Sequence, residues 1–143
     1  MTLIKDKNLG KHCGVDEAGR GAWSGPVVAA AVRLNSFVNI EGLADSKTIN
    51  FALRVKLYHQ IIENSAVGVS FVSSSIVDSK NILQASLLAM DTAVRKILDK
   101  DDKVFFDGNF LPDAFRNSPN AFAVVKGDQK IASIAAASIV AKV

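Results

Sequence analysis

The 143 residues include one cysteine, three prolines, one tryptophan and one tyrosine, and each scarcity excludes something. A lone Cys13 makes no internal disulfide and completes no paired-cysteine metal motif, so it is expected to be a small buried apolar residue. Three prolines and nine glycines leave no collagen-like or low-complexity stretch. No uncharged apolar run has the length a bilayer requires, so no membrane partner is expected. Residues 1–11 carry Lys5, Lys7 and Lys11 without an apolar segment or a small-residue cleavage site. No secretory signal is read there, and a cytoplasmic location is the expectation. Neither sign of charge dominates. Seventeen Lys and Arg against fourteen Asp and Glu give +3, which permits an anionic partner without requiring one.

What is present is ordinary globular composition, 49% hydrophobic and 22% charged, in a length that suits one core and not two. Residues 12–16 predict a short buried strand opening into a loop that holds Gly19, Gly21 and Gly25. Residues 26–34, almost wholly apolar and rich in Val and Ala, predict a strand buried on both faces, with Pro26 at its first position. Leu53, Leu57, Ile61 and Ile62 recur at helical spacing over 50–63, with Asn50 as cap. Alternation predicts a strand over 66–72, and a longer helical pattern runs from 82 to 98. Strands are expected over 103–107 and 121–125, and an Ala-, Ile- and Ser-rich helix over 130–143. This order points to a mixed α/β (α+β) layered fold.

Chemistry concentrates where strands end. Asp16 and Glu17 close the first apolar strand, and Asp107 directly follows Val104, Phe105 and Phe106. Successive side chains of a regular strand face opposite ways, so Asp16 and Glu17 are expected to share a site only if the chain turns there. Each group alone also reads as a solvated turn, and Asp107-Gly108 is a common turn pair. Three carboxylates converging in one small domain favour a hard divalent cation, because clustered acids need either a metal or raised pKa values. His12 and His59 have no partner in spacing and are expected in core or surface roles. Gly19-Arg20-Gly21 suits a phosphate or a sugar hydroxyl, but neither a dinucleotide fingerprint nor a Walker loop is present. Asp45-Ser46-Lys47 and Lys126-Gly127-Asp128 are further polar clusters, each able to present a cation.

In order along the chain, GVDEAGRGAWSGPVVAAAV (14–32), LADSK (43–47), NILQASLLAM (81–90), VFFDGN (104–109) and KGDQKIASIAAASIVAKV (126–143) resemble ribonuclease HII, the type 2 ribonuclease H family. The resemblance implies a ribonuclease H-like fold, with a central mixed five-stranded sheet flanked by helices, forming a single catalytic domain and a monomer. It implies hydrolysis of RNA in RNA–DNA hybrids and incision 5′ of ribonucleotides embedded in duplex DNA, giving 3′-hydroxyl and 5′-phosphate ends. By position, Asp16, Glu17 and Asp107 are similar to the family's first three metal-binding carboxylates, serving two Mg²⁺ or Mn²⁺ ions. Gly19, Arg20 and Gly21 match the loop that senses the ribose 2′-hydroxyl, the group that separates RNA from DNA. Lys47, Ser133 and Lys142 are implied contacts to the substrate backbone.

The likeness has departures. In the family the final Ala-Lys-Val continues into an Arg-Asp pair that supplies a fourth carboxylate, and this sequence ends at Val143. The expectation is a chain lacking the family's C-terminal region, weakly active or inactive for want of that acid. The family's junction-sensing tyrosine would also fall there, and Tyr58, in a predicted helix, does not replace it. Trp23 stands in a loop position that is smaller in the family. The alternative is a non-catalytic module that binds RNA–DNA hybrids.

Overall fold

The computed structural model describes residues 11–18, 27–34, 50–72, 82–99 and 101–142. The elements run β1 (His12–Ala18), β2 (Val27–Leu34), α1 (Phe51–Asn64), β3 (Ser65–Val72), α2 (Ile82–Arg95), β4 (Lys103–Asp107), β5 (Ala121–Val124) and α3 (Ala132–Lys142). The strands form one mixed sheet in the order β3-β2-β1-β4-β5. The β1–β2 and β2–β3 pairs are antiparallel, whereas β1–β4 and β4–β5 are parallel. Parallel neighbours need a long crossover. Between β1 and β4 it is the whole stretch through β2, α1, β3 and α2. The expected mixed five-stranded sheet flanked by helices is the architecture found. No helix among the described residues is long and apolar enough to cross a membrane.

Local sequence accounts for the elements. The Asn50 side chain accepts a hydrogen bond from Leu53 N at 2.9 Å, satisfying an orphan donor at the start of α1. Of its four expected apolar positions only Leu57 and Ile61 are buried, while Leu53 and Ile62 are exposed. The buried stripe is therefore narrower than the periodicity suggested. The second helix stops at Arg95, three residues short of expectation. The Ile97 carbonyl beyond it accepts from both Nη atoms of Arg33, at 3.1 and 3.2 Å.

The sheet separates two cores. Cys13, Val15, Ala29, Ala31, Val104 and Phe106 pack under α2. On the other face Ala30, Val32 and Leu34 meet α1 and α3. The third helix lies so close that a Cβ on Gly14 would sit 2.4 Å from the backbone of both Ser133 and Ile134. No side chain fits there, and the alanines of α3 allow the same approach along its length.

An ion-pair network ties the end of the sheet where β1 begins. Arg33 Nη1 donates to Asp102 Oδ2 at 2.9 Å and lies 3.3 Å from Asp99, whose partner Lys11 is 3.0 Å away. The Asp99 backbone N–H also donates to Asp102 Oδ2, at 3.0 Å. Burial by itself would raise the Asp102 pKa, but the bonds from Arg33 and the Asp99 N–H hold it below the usual carboxylate value. Cys13 is fully buried, as expected, and its thiol donates to Asp102 Oδ2 at 3.7 Å. Burial first, then the Asp102 charge, push its pKa up to about 12, so it stays a thiol and unreactive.

Candidate metal and active site

The site lies at the opposite end of β1. Because β1 and β4 run parallel, with Val15 beside Phe106 as the last aligned pair, both strands deliver their following acids to one edge. One oxygen from each of Asp16, Glu17 and Asp107 lies within 4.8 Å of the others. Among the described residues these form the one such acid cluster. The chain does not turn at Asp16 as expected: β1 stays extended and paired to β2 through Ala18. The carboxylates converge by another route. Where the β1–β4 ladder ends, Asp16 Oδ1 accepts the Glu17 N–H at 2.8 Å, and a Glu17 carboxylate oxygen comes within 4.8 Å of those of Asp16 and Asp107.

Burial differs sharply within the cluster. Asp16 is 5% exposed, whereas Glu17 and Asp107 are half-buried. Burial, then the charges of Asp107 and Glu17, push the Asp16 pKa up to about 9, against the Glu17 N–H, which favours the charged form. Without a counterion Asp16 therefore favours its protonated form, and the nearness of Asp107 adds to that preference. A divalent cation would replace that proton and remove the repulsion. The donor set, oxygens only, fits Mg²⁺ or Mn²⁺.

Asp107 is held from outside the cluster. Its Oδ1 accepts the backbone N–H of Gly127 at 2.6 Å, which leaves its second oxygen for a ligand. Gly127 follows β5 and opens a single 3-10 turn, Gly127–Gln129, leading into α3. Lys126, just before it, has φ 53°, in the left-handed region. The sequence marked Lys126-Gly127-Asp128 as a polar cluster able to present a cation, and as the start of a segment with the family likeness. A backbone donor carries no side-chain signature, so its bond to Asp107 was not legible.

Other anticipated residues fall variously. Ser133 is fully buried where α3 meets Gly14, and Lys142 is exposed at the end of α3. Gly19, Arg20, Gly21 and Lys47 lie outside the described residues, as do Trp23 and Pro26. His12 is buried edge-on to Phe105, with ring centroids 5.3 Å apart, and His59 is exposed on α1. Both match the core and surface roles expected of them.

Comparison with known proteins bears on the family and the fold. The family model for ribonuclease HII matches residues 13–143. A ribonuclease HII of Coxiella burnetii is 46% identical over 131 residues, 91% of this chain and 63% of the relative. One of Francisella tularensis subsp. novicida is 50% identical over the same length, covering 69% of that protein. This chain thus spans just under two thirds of the length of the Coxiella relatives. The crystal structure of ribonuclease H2 from Pyrococcus horikoshii superposes with a TM-score of 0.75 at 28% identity, over 92% of this chain and 70% of that one.

Proposed function

This chain belongs to the ribonuclease HII family, and from that premise we propose that it is a metal-dependent endonuclease. Its substrates are RNA–DNA hybrids and duplex DNA with embedded ribonucleotides, cut 5′ of the ribonucleotide to leave 3′-hydroxyl and 5′-phosphate ends. The observation that carries this reading is the convergence of Asp16, Glu17 and Asp107 within 4.8 Å at the common edge of two parallel strands. These residues hold the divalent ions, two Mg²⁺ or Mn²⁺ in the active complex. When bound, such ions lower the pKa of an attacking water and stabilise charge on the leaving oxygen.

The protein's own contribution is placement. Burial of Asp16 excludes bulk water from one side of the cluster, which strengthens every charge interaction there. The Gly127 N–H fixes the direction of the Asp107 carboxylate. Gly19, Arg20 and Gly21 are proposed to sense the 2′-hydroxyl, and Lys47, Ser133 and Lys142 to steady the substrate backbone. Lys142 is exposed, open to a direct contact with a duplex, whereas Ser133 is fully buried, so its proposed part passes through its neighbours. The chain is read as one catalytic domain acting as a monomer.

Cleavage of a labelled DNA duplex carrying one ribonucleotide, in Mg²⁺ and in Mn²⁺, tests the proposal. Product with a 3′-hydroxyl end, lost in Asp16→Asn, is the expected result. The second reading, a hybrid-binding module, takes its place if the duplex is bound in Ca²⁺ yet neither Mg²⁺ nor Mn²⁺ gives product.

A further inference from the structure

Lys126 is a lysine where the backbone asks for something else. Its φ of 53° is left-handed, a conformation that costs a residue with a Cβ roughly 1 kcal/mol relative to glycine. Strained positions persist where the surroundings hold them, and they gather at functional sites. Here the surroundings are the acid cluster. The next residue's N–H bonds Asp107 Oδ1 at 2.6 Å, which, with standard bond lengths, places the Lys126 Cα within about 5.5 Å of that oxygen. The side chain is exposed and forms no ion pair among the described residues. A lysine stem spans roughly 6 Å, so its ammonium can stand beside the cluster while remaining in solvent.

From this juxtaposition we infer that Lys126 is a substrate-positioning residue that contacts a backbone phosphate of the nucleic-acid strand lying over Asp16, Glu17 and Asp107. The left-handed turn does two things at once. It aims the Gly127 N–H at Asp107, and it carries a cation within reach of the three carboxylates. A polyanion approaching three carboxylates is repelled unless cations meet its phosphates. Lys126 supplies one from the same turn that orients a metal-holding acid, so phosphate register and carboxylate geometry are set by one piece of backbone. The inference rests on the nuclease reading above and names a contact within it.

Lys126→Gly separates side chain from backbone, because glycine keeps the left-handed turn without strain. Binding of a fluorescent RNA–DNA hybrid is measured by anisotropy at several salt concentrations, with Ca²⁺ in the buffer, for the unaltered chain, Lys126→Gly, Lys126→Gln and Lys126→Arg. The expected result is binding weakened several-fold in the Gly and Gln variants, a log–log salt slope shallower by about one unit, recovery in Lys126→Arg, and no fall in melting temperature for Lys126→Gly. Unchanged affinity and slope in Lys126→Gly overturn the inference. So does a loss that tracks melting temperature in all three variants, since the turn would then be purely structural. If the unaltered chain shows no salt-dependent hybrid binding, the nuclease reading itself falls and the inference falls with it.

Discussion

At the scale of single residues, Asp16 bears the cost of the site. Its raised pKa means that the ionised form is disfavoured in the folded chain. The stability it contributes is complete below the ordinary carboxylate pKa and is lost as pH rises toward about 9. The metal-free protein is therefore expected to melt at progressively lower temperature between pH 6 and pH 9, and saturating Mg²⁺ to reverse much of that decline. Asp16→Asn removes the group whose ionisation burial opposes, while its amide oxygen can still accept the Glu17 N–H. Calorimetry should find this variant at least as stable as the parent without metal, and with no further gain on adding Mg²⁺. A parent-sized metal response in Asp16→Asn would show that the cluster holds its ion without Asp16.

At the scale of elements, the approach of α3 to β1 depends on Gly14. Gly14→Ala puts a methyl 2.4 Å from the backbone of Ser133 and Ile134, and main chain cannot swing aside as a side chain can. The cost is expected to be on the order of 3 kcal/mol, read as a lower denaturant midpoint at unchanged slope. A midpoint within error of the parent would mean that α3 slides freely on the sheet. Most elements were legible beforehand: alternation marked β3, the Val-Ala run marked β2, and Asn50 marked the start of α1. What escaped was long-range. Nothing local says that Arg33 claims the Ile97 carbonyl just beyond α2, or that Glu17 can join Asp16 without a turn. Those outcomes depend on which strands become neighbours, and periodicity is silent on pairing. The three acids were legible as strand-end residues and through the family likeness, whereas the Gly127 donor was visible only in three dimensions.

At the scale of the whole molecule, the two ends of β1 serve different purposes. One gathers three carboxylates; the other pairs its charges internally through Arg33, Lys11, Asp99 and Asp102. Asp102→Ala leaves the partly buried Arg33 without its closest counter-charge and is expected to cost about 3 kcal/mol. The ends are four residue steps apart between Cys13 and Glu17, roughly 13 Å, so their effects should add. The melting-temperature gain from Mg²⁺ should thus survive in Asp102→Ala, and a lost gain would reveal coupling along β1. The parallel pairing of β1 with β4 also bears on how the protein is made. His12 pairs with Lys103, 91 residues later, so on a ribosome adding about 5–20 residues per second the first strand waits roughly 5–18 s for its neighbour. Through that interval the nascent chain can close the β1–β2–β3 meander but has no Asp107 to offer. On the proposed reading, ion affinity therefore arrives late in synthesis, and a ribosome stalled before β4 emerges holds a chain without Asp107 and so without the complete acid cluster.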